Sequence, residues 1–166
     1  MINLQCIFLF MVVKVSPWCL DTPTISTGEK VFELDYSPNM QYIVVGLETK
    51  TRVYHAGNKS LVCTYAHGGL AFGCIKFFPS NDKFAFGIQG DSLRIVSATN
   101  CTVLNTFPTG HTLVHGVNFN ALGTKMLTCG EDQKFKVWDI TTSVILTSTP
   151  PLIGGNFNVG QKVKSC

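Results

Sequence analysis

The chain has 166 residues, 45% of them hydrophobic and only 14% charged. That is enough apolar material for one packed domain and too little charge for a disordered tail. Thirteen Lys and Arg against ten Asp and Glu give a net charge of +3, too slight and scattered an excess for a nucleic-acid footprint.

The first element is the apolar run Cys6-Ile7-Phe8-Leu9-Phe10-Met11-Val12-Val13. It is shorter than the ~20 residues that span a bilayer, so no membrane span is expected. A secretion signal also wants a basic start, and residues 1–5 carry no charged side chain. A buried strand is the expectation, with a signal-like segment as the alternative. Leu9 to Lys14 and Trp18-Cys19-Leu20 lie at the phase of a third and a fourth strand of the units below. Residues 1–27 are therefore expected to form a partial unit.

The next unit, 28–66, begins with Val31-Phe32-Glu33-Leu34-Asp35-Tyr36, which alternates apolar and polar as a half-buried strand does. Ser37-Pro38-Asn39 is turn chemistry. Tyr42 to Gly46 is almost wholly apolar, as expected of a strand covered on both faces. Thr51-Arg52-Val53-Tyr54 and Leu61-Val62-Cys63 follow as third and fourth strands. The unit 67–107 repeats this order with Phe77-Phe78, the turn Pro79-Ser80-Asn81, Phe84 to Gly87, and Leu93-Arg94-Ile95-Val96. The unit 108–149 repeats it with Phe119, Met126 to Cys129, Phe135 to Trp138, and Val144 to Thr147. Residues 150–166 are either the start of a further unit or a flexible tail.

Three landmarks share one period. Tyr36, Phe77 and Phe119 lie 41 and 42 residues apart, as do Gly46, Gly87 and Cys129, and Tyr54, Val96 and Trp138 recur every 42. A repeat of ~40–45 residues with four strands each is the signature of propeller blades.

The unit 108–149 also carries Gly110-His111 at its start and Trp138-Asp139 at its end. In these residues it resembles the WD-repeat family, over roughly residues 10–160 of the chain. In that family a His, a Ser or Thr, an Asp and a Trp form a hydrogen-bonded structural tetrad inside a blade. The resemblance places it at His111, Thr128, Asp132 and Trp138. Asp132 would orient His111, and Thr128 would join His111 to the Trp138 indole. The unit 67–107 keeps only His67, with Phe86, Gly90 and Val96 at the other positions. The first unit ends on Tyr54-His55 in place of Trp-Asp.

The fold expected is thus all-β: propeller blades of four antiparallel strands in an incomplete ring, about three full blades with partial blades at both ends. A closed ring needs at least four blades. A fragment of a larger propeller is expected, the other blades coming in cis or from a second copy.

The resemblance implies a scaffold for protein–protein interactions within a multiprotein complex. Its partner, a protein or peptide, would meet the loops joining fourth to first and second to third strands. Those loops bring forward Leu47, Glu48, Phe72, Gln89, Leu113, Val114 and Glu131 as candidate partner-binding residues. Leu113, Val114 and Phe72 would be apolar anchors; the other reading is that each plugs its own blade.

No catalytic residue, cofactor or metal is expected. His111 and Asp132 could form a dyad, but the tetrad already accounts for them. Glu33, Asp35, Lys76 and His115 would line the central channel without making a coherent catalytic set. His111 and His115 sit on a loop and a strand, so their spacing does not converge on a metal. Gly155 to Lys162 resembles a phosphate-binding loop, but Gln161 holds the Lys position and no Ser or Thr follows Lys162. Asn58-Lys59-Ser60 and Asn100-Cys101-Thr102 are glycosylation sequons at one phase of the repeat. They are expected to act as turns unless the chain is secreted.

The seven cysteines (Cys6, Cys19, Cys63, Cys74, Cys101, Cys129 and Cys166) include no C-x-x-C pair. Reduced core thiols in a cytoplasmic or nuclear protein are the expectation. A secreted or lumenal binding protein is the alternative.

Overall fold

The computed structural model describes residues 24–68, 72–90 and 92–148. The partial units expected before residue 24 and after residue 149 lie outside them. Among the described residues every regular element is a strand. The first sheet runs β1 (Val31–Tyr36), β2 (Tyr42–Leu47), β3 (Lys50–His55) and β4 (Leu61–Ala66). The second runs β5 (Phe72–Phe77), β6 (Lys83–Ile88), β7 (Ser92–Ser97) and β8 (Val103–Pro108). The third runs β9 (Val114–Phe119), β10 (Lys125–Gly130), β11 (Phe135–Asp139) and β12 (Val144–Ser148). Each sheet is an antiparallel meander in chain order. The registers correspond: Ile43 faces Tyr54, Phe84 faces Val96, and Met126 faces Trp138.

The turns explain why one period governs all three sheets. Between first and second strands the chain needs a residue at positive φ, and Met40, Asn81 and Gly123 supply it at 59°, 68° and 65°. Between third and fourth strands Lys59, Cys101 and Ser143 do the same at 63°, 57° and 58°. In the first turn the Ser37 hydroxyl oxygen accepts the Tyr42 amide at 2.9 Å and the Gln41 amide at 3.1 Å, which helps hold Met40 in that conformation. Each sheet also carries two bulges at matching places, one at the narrow end of its first strand and one between its third and fourth. Bulges raise the local twist.

The sheets pack face against face, with β5 on β1 and β9 on β5. One core lies between the first and second sheets, around Val44, Val53, Ile75, Phe77, Phe84 and Phe86. Another lies between the second and third, around Ala85, Leu93, Ile95, Phe107, Met126 and Trp138. Gly87 is required there: a Cβ on it would sit 2.8 Å from the Val114 Cβ.

Three expectations change. In β7 the sequence sets Leu93 and Ile95 against Arg94 and Val96, an alternation expected of a half-buried strand, but Val96 is as buried as Leu93. Sheets stacked on both sides leave no solvent face for it. In β1 the polar members of the alternation do not face water. Glu33 accepts the Ile75 amide at 3.0 Å and Asp35 the Phe77 amide at 2.8 Å, while Lys76 donates to Asp35 at 3.2 Å. These carboxylates satisfy the β5 amides that face the neighbouring sheet. The third change concerns the thiols, expected to be reduced. Cys63 and Cys101 form a disulfide that ties β4 to the turn before β8. Cys63 lies in the outer strand of the first sheet and Cys101 just before the outer strand of the second, with Cα atoms 5.7 Å apart. Cys74 is a free buried thiol, and burial pushes its pKa up to about 12.

Candidate functional site

The third sheet holds four polar side chains in one line. The Trp138 indole N–H donates to the Thr128 hydroxyl oxygen at 2.9 Å. Thr128 Oγ lies 3.0 Å from His111 Nε2, and His111 Nδ1 lies 2.6 Å from Asp132 Oδ1. Every group is used when Thr128 donates to Nε2 and His111 donates from Nδ1 to the carboxylate. His111 and Thr128 are fully buried and Trp138 almost so. Gly130 allows this placement, since a Cβ there would meet the His111 ring at 2.5 Å.

The line fastens two loops to the sheet. His111 comes from the β8–β9 loop and Asp132 from the β10–β11 turn. Burial raises the Asp132 pKa. The His111 hydrogen bond and charge, the Lys134 amide and the Lys136 ammonium outweigh it, and the net shift is downward. Lys136 is itself buried and donates to the Thr109 carbonyl at 2.5 Å, with Asp132 Oδ2 at 3.6 Å. At the same end of the molecule the Gly90 amide reaches the Thr112 carbonyl at 3.5 Å, and the Glu131 amide the Leu113 carbonyl at 3.1 Å. An open groove of about 450 Å³ runs between Gln89, Gly90, Gly110 and Thr112.

Residues 101–139 match the family described as WD domain, G-beta repeat. That stretch holds the whole line from His111 to Trp138. The three sheets are blades of an incomplete propeller, blades 1 to 3 in chain order, and the family match falls on the third. One chain in the solved structure titled "Crystal Structure of Mitotic Checkpoint Complex" is similar, with a TM-score of 0.67 and 17% sequence identity over 76% of this chain and 39% of that one. At that identity the likeness shows the fold, and the present chain spans about two fifths of the matched one. No curated protein sequence matches.

The propeller frame sorts the expected partner-binding residues. Glu48, Gln89 and Glu131 are exposed on the loops joining second and third strands, and Leu113 is half-buried. Leu47 and Val114 are fully buried and cannot serve as exposed anchors. Leu47 ends β2 inside the apolar cluster with Ile43, Val45 and Tyr54. Val114 starts β9 and plugs the space over Gly87. Phe72 opens β5, and its side chain lies outside the described atoms.

In blade 2, His67 is buried and stacks near Phe86, with ring centroids 6.2 Å apart. Burial holds its pKa below the ordinary value. Phe86 and Val96 stand where Thr and Trp stand in blade 3, so an apolar cluster replaces the polar line. In blade 1, Tyr54 is buried at the Trp position.

Sequence reasoning missed Lys136. Its signal is the alternation of β11, which puts Lys136 on the Trp138 face, two residues away. Among the described residues no His, Cys, Asp and Glu group gathers as metal ligands, and no helix is long and apolar enough to cross a membrane.

Proposed function

We propose that this chain is a non-catalytic protein-binding scaffold, acting through the propeller end that carries Glu48, Gln89, Leu113 and Glu131. WD-repeat propellers act generally as protein-interaction scaffolds, and the matched chain belongs to a structure titled as a complex. The observation that carries the reading is the bracing of exposed loops from below. The His111–Asp132 line and Lys136 fix the blade 3 loops, while Leu47 and Val114 bury themselves beneath the exposed residues. Preorganised loops lose little entropy on binding. Glu33 and Asp35, the carboxylates that could have served chemistry in the channel, are committed to the β5 backbone and Lys76.

The described residues form three blades, and a ring takes at least four. We read the chain as working with further blades of a longer propeller. Affinity capture with the full chain, followed by Glu48→Lys, Gln89→Ala and Glu131→Lys together, tests the binding reading. The expected result is loss of the captured partners with an unchanged melting curve. Retention of every partner by the triple variant would overturn it. Native mass separates the ring arrangements: a mass of one chain fits blades in cis, and two chains fit closure by a second copy.

A further inference from the structure

We propose that Asn58 and Asn100 are N-glycosylation sites, and that the chain matures in an oxidising lumen that attaches glycans. The two sequons occupy one place in successive blades, the exposed turn between third and fourth strands. In each, the Asn Oδ1 is turned inward. Asn58 Oδ1 accepts from the Ser60 amide at 3.0 Å and hydroxyl at 2.8 Å, and Asn100 Oδ1 from the Thr102 amide at 3.1 Å and hydroxyl at 2.8 Å. Both Asn residues are exposed, and these hydrogen bonds use Oδ1 and not Nδ2, the atom a glycan would occupy.

Turn formation alone does not require Asn at this place. Blade 3 has Thr142 at the corresponding position and closes its turn through Asp139, whose Oδ1 accepts the Thr141 and Thr142 amides at 2.9 and 3.0 Å. A second, independent observation points to the same compartment. Cys101, the middle residue of the second sequon, is bonded to Cys63, five residues after Asn58. Thiols of the cytosol and nucleus stay reduced, whereas lumenal and secreted proteins keep such bridges. The strands that follow the sequons also expose Leu61 at 54%, Val103 at 42% and Leu104 at 56%. A glycan on the adjacent turn would cover that apolar rim.

The chemistry balances with two co-reactants of that lumen. Glycan transfer forms a bond from Asn Nδ2 to the first sugar carbon of a lipid-linked oligosaccharide. The lipid pyrophosphate leaves with the bonding pair, and the amide proton passes to the transferase's base. Bridging Cys63 and Cys101 releases two protons and two electrons, which reduce a disulfide of a thiol oxidoreductase.

The test is made on the protein isolated from its natural cells. Amide-cleaving endoglycosidase in heavy-oxygen water converts a glycosylated Asn into a labelled Asp, read by peptide mass spectrometry. Labelled Asp at position 58 or 100 supports the proposal, and unlabelled Asn at both overturns it. Alkylation before reduction gives a second reading. A linked Cys63–Cys101 peptide is expected, and full alkylation of both thiols would overturn the lumenal setting. Thr102→Ala is expected to abolish label at Asn100, and Thr102→Ser to retain it. Neither outcome bears on partner capture, so this proposal and the scaffold reading fail separately.

Discussion

At the scale of single residues, the tetrad shows why a few polar groups are retained in an apolar blade. Thr128 is the link: its hydroxyl accepts the Trp138 indole N–H and donates to His111 Nε2. Thr128→Val keeps the volume but leaves two buried polar groups without that partner. A loss of ~1–3 kcal/mol is expected in denaturant unfolding, the usual cost of such groups. The Asp132 carboxylate gives the tetrad a pH dependence. Its folded pKa is held below the ordinary 3.8, so on acidification the unfolded chain binds the proton first. The stability it contributes is present above about pH 4 and is lost as the pH falls through the folded value. Urea midpoints measured down an acid series are expected to fall, and Asp132→Asn is expected to flatten part of that fall.

At the scale of elements, the repeated strand is shaped by what lies on each side of it. The alternation of β1 is legible in the sequence, but its meaning is not. Glu33 and Asp35 look like a solvent face until β5 is placed beside them, where they accept its amides. Leu47 and Val114 are legible as apolar loop-edge residues. Only packing decides that they point inward, because the ends of β2 and β9 are covered by neighbouring core residues. Gly87 offers a direct check on that packing. Gly87→Ala would place a Cβ 2.8 Å from Val114 Cβ and 3.1 Å from Cys74 Sγ. A destabilisation of ~1–3 kcal/mol is expected from such overpacking. Adding Val114→Gly, which removes that Cβ, should relieve the closest clash, so the double variant should lose less than the two single variants together.

At the scale of the whole molecule, the described blades are held by the interfaces between them and by a covalent tie between the first and second. The Cys63–Cys101 bridge closes a loop with a sequence separation of 38 residues across blades 1 and 2. Constraining the unfolded chain in this way is commonly worth ~2–4 kcal/mol. Cys63→Ser or reduction is therefore expected to lower the unfolding free energy by about that amount. Cys74, buried with its pKa pushed up to about 12, should stay unalkylated in the native state.

The sequence by itself determined the repeat, the four-strand unit and the membership of the tetrad. The first two rest on alternation and turn residues that recur every 41 or 42 residues, and the tetrad on the family resemblance carried by the third unit alone. The tertiary structure alone decided which polar residues are buried partners, which apolar residues are plugs, and that Cys63 and Cys101 meet. Those facts depend on the face one blade presents to the next, and no pattern within a single unit carries that information.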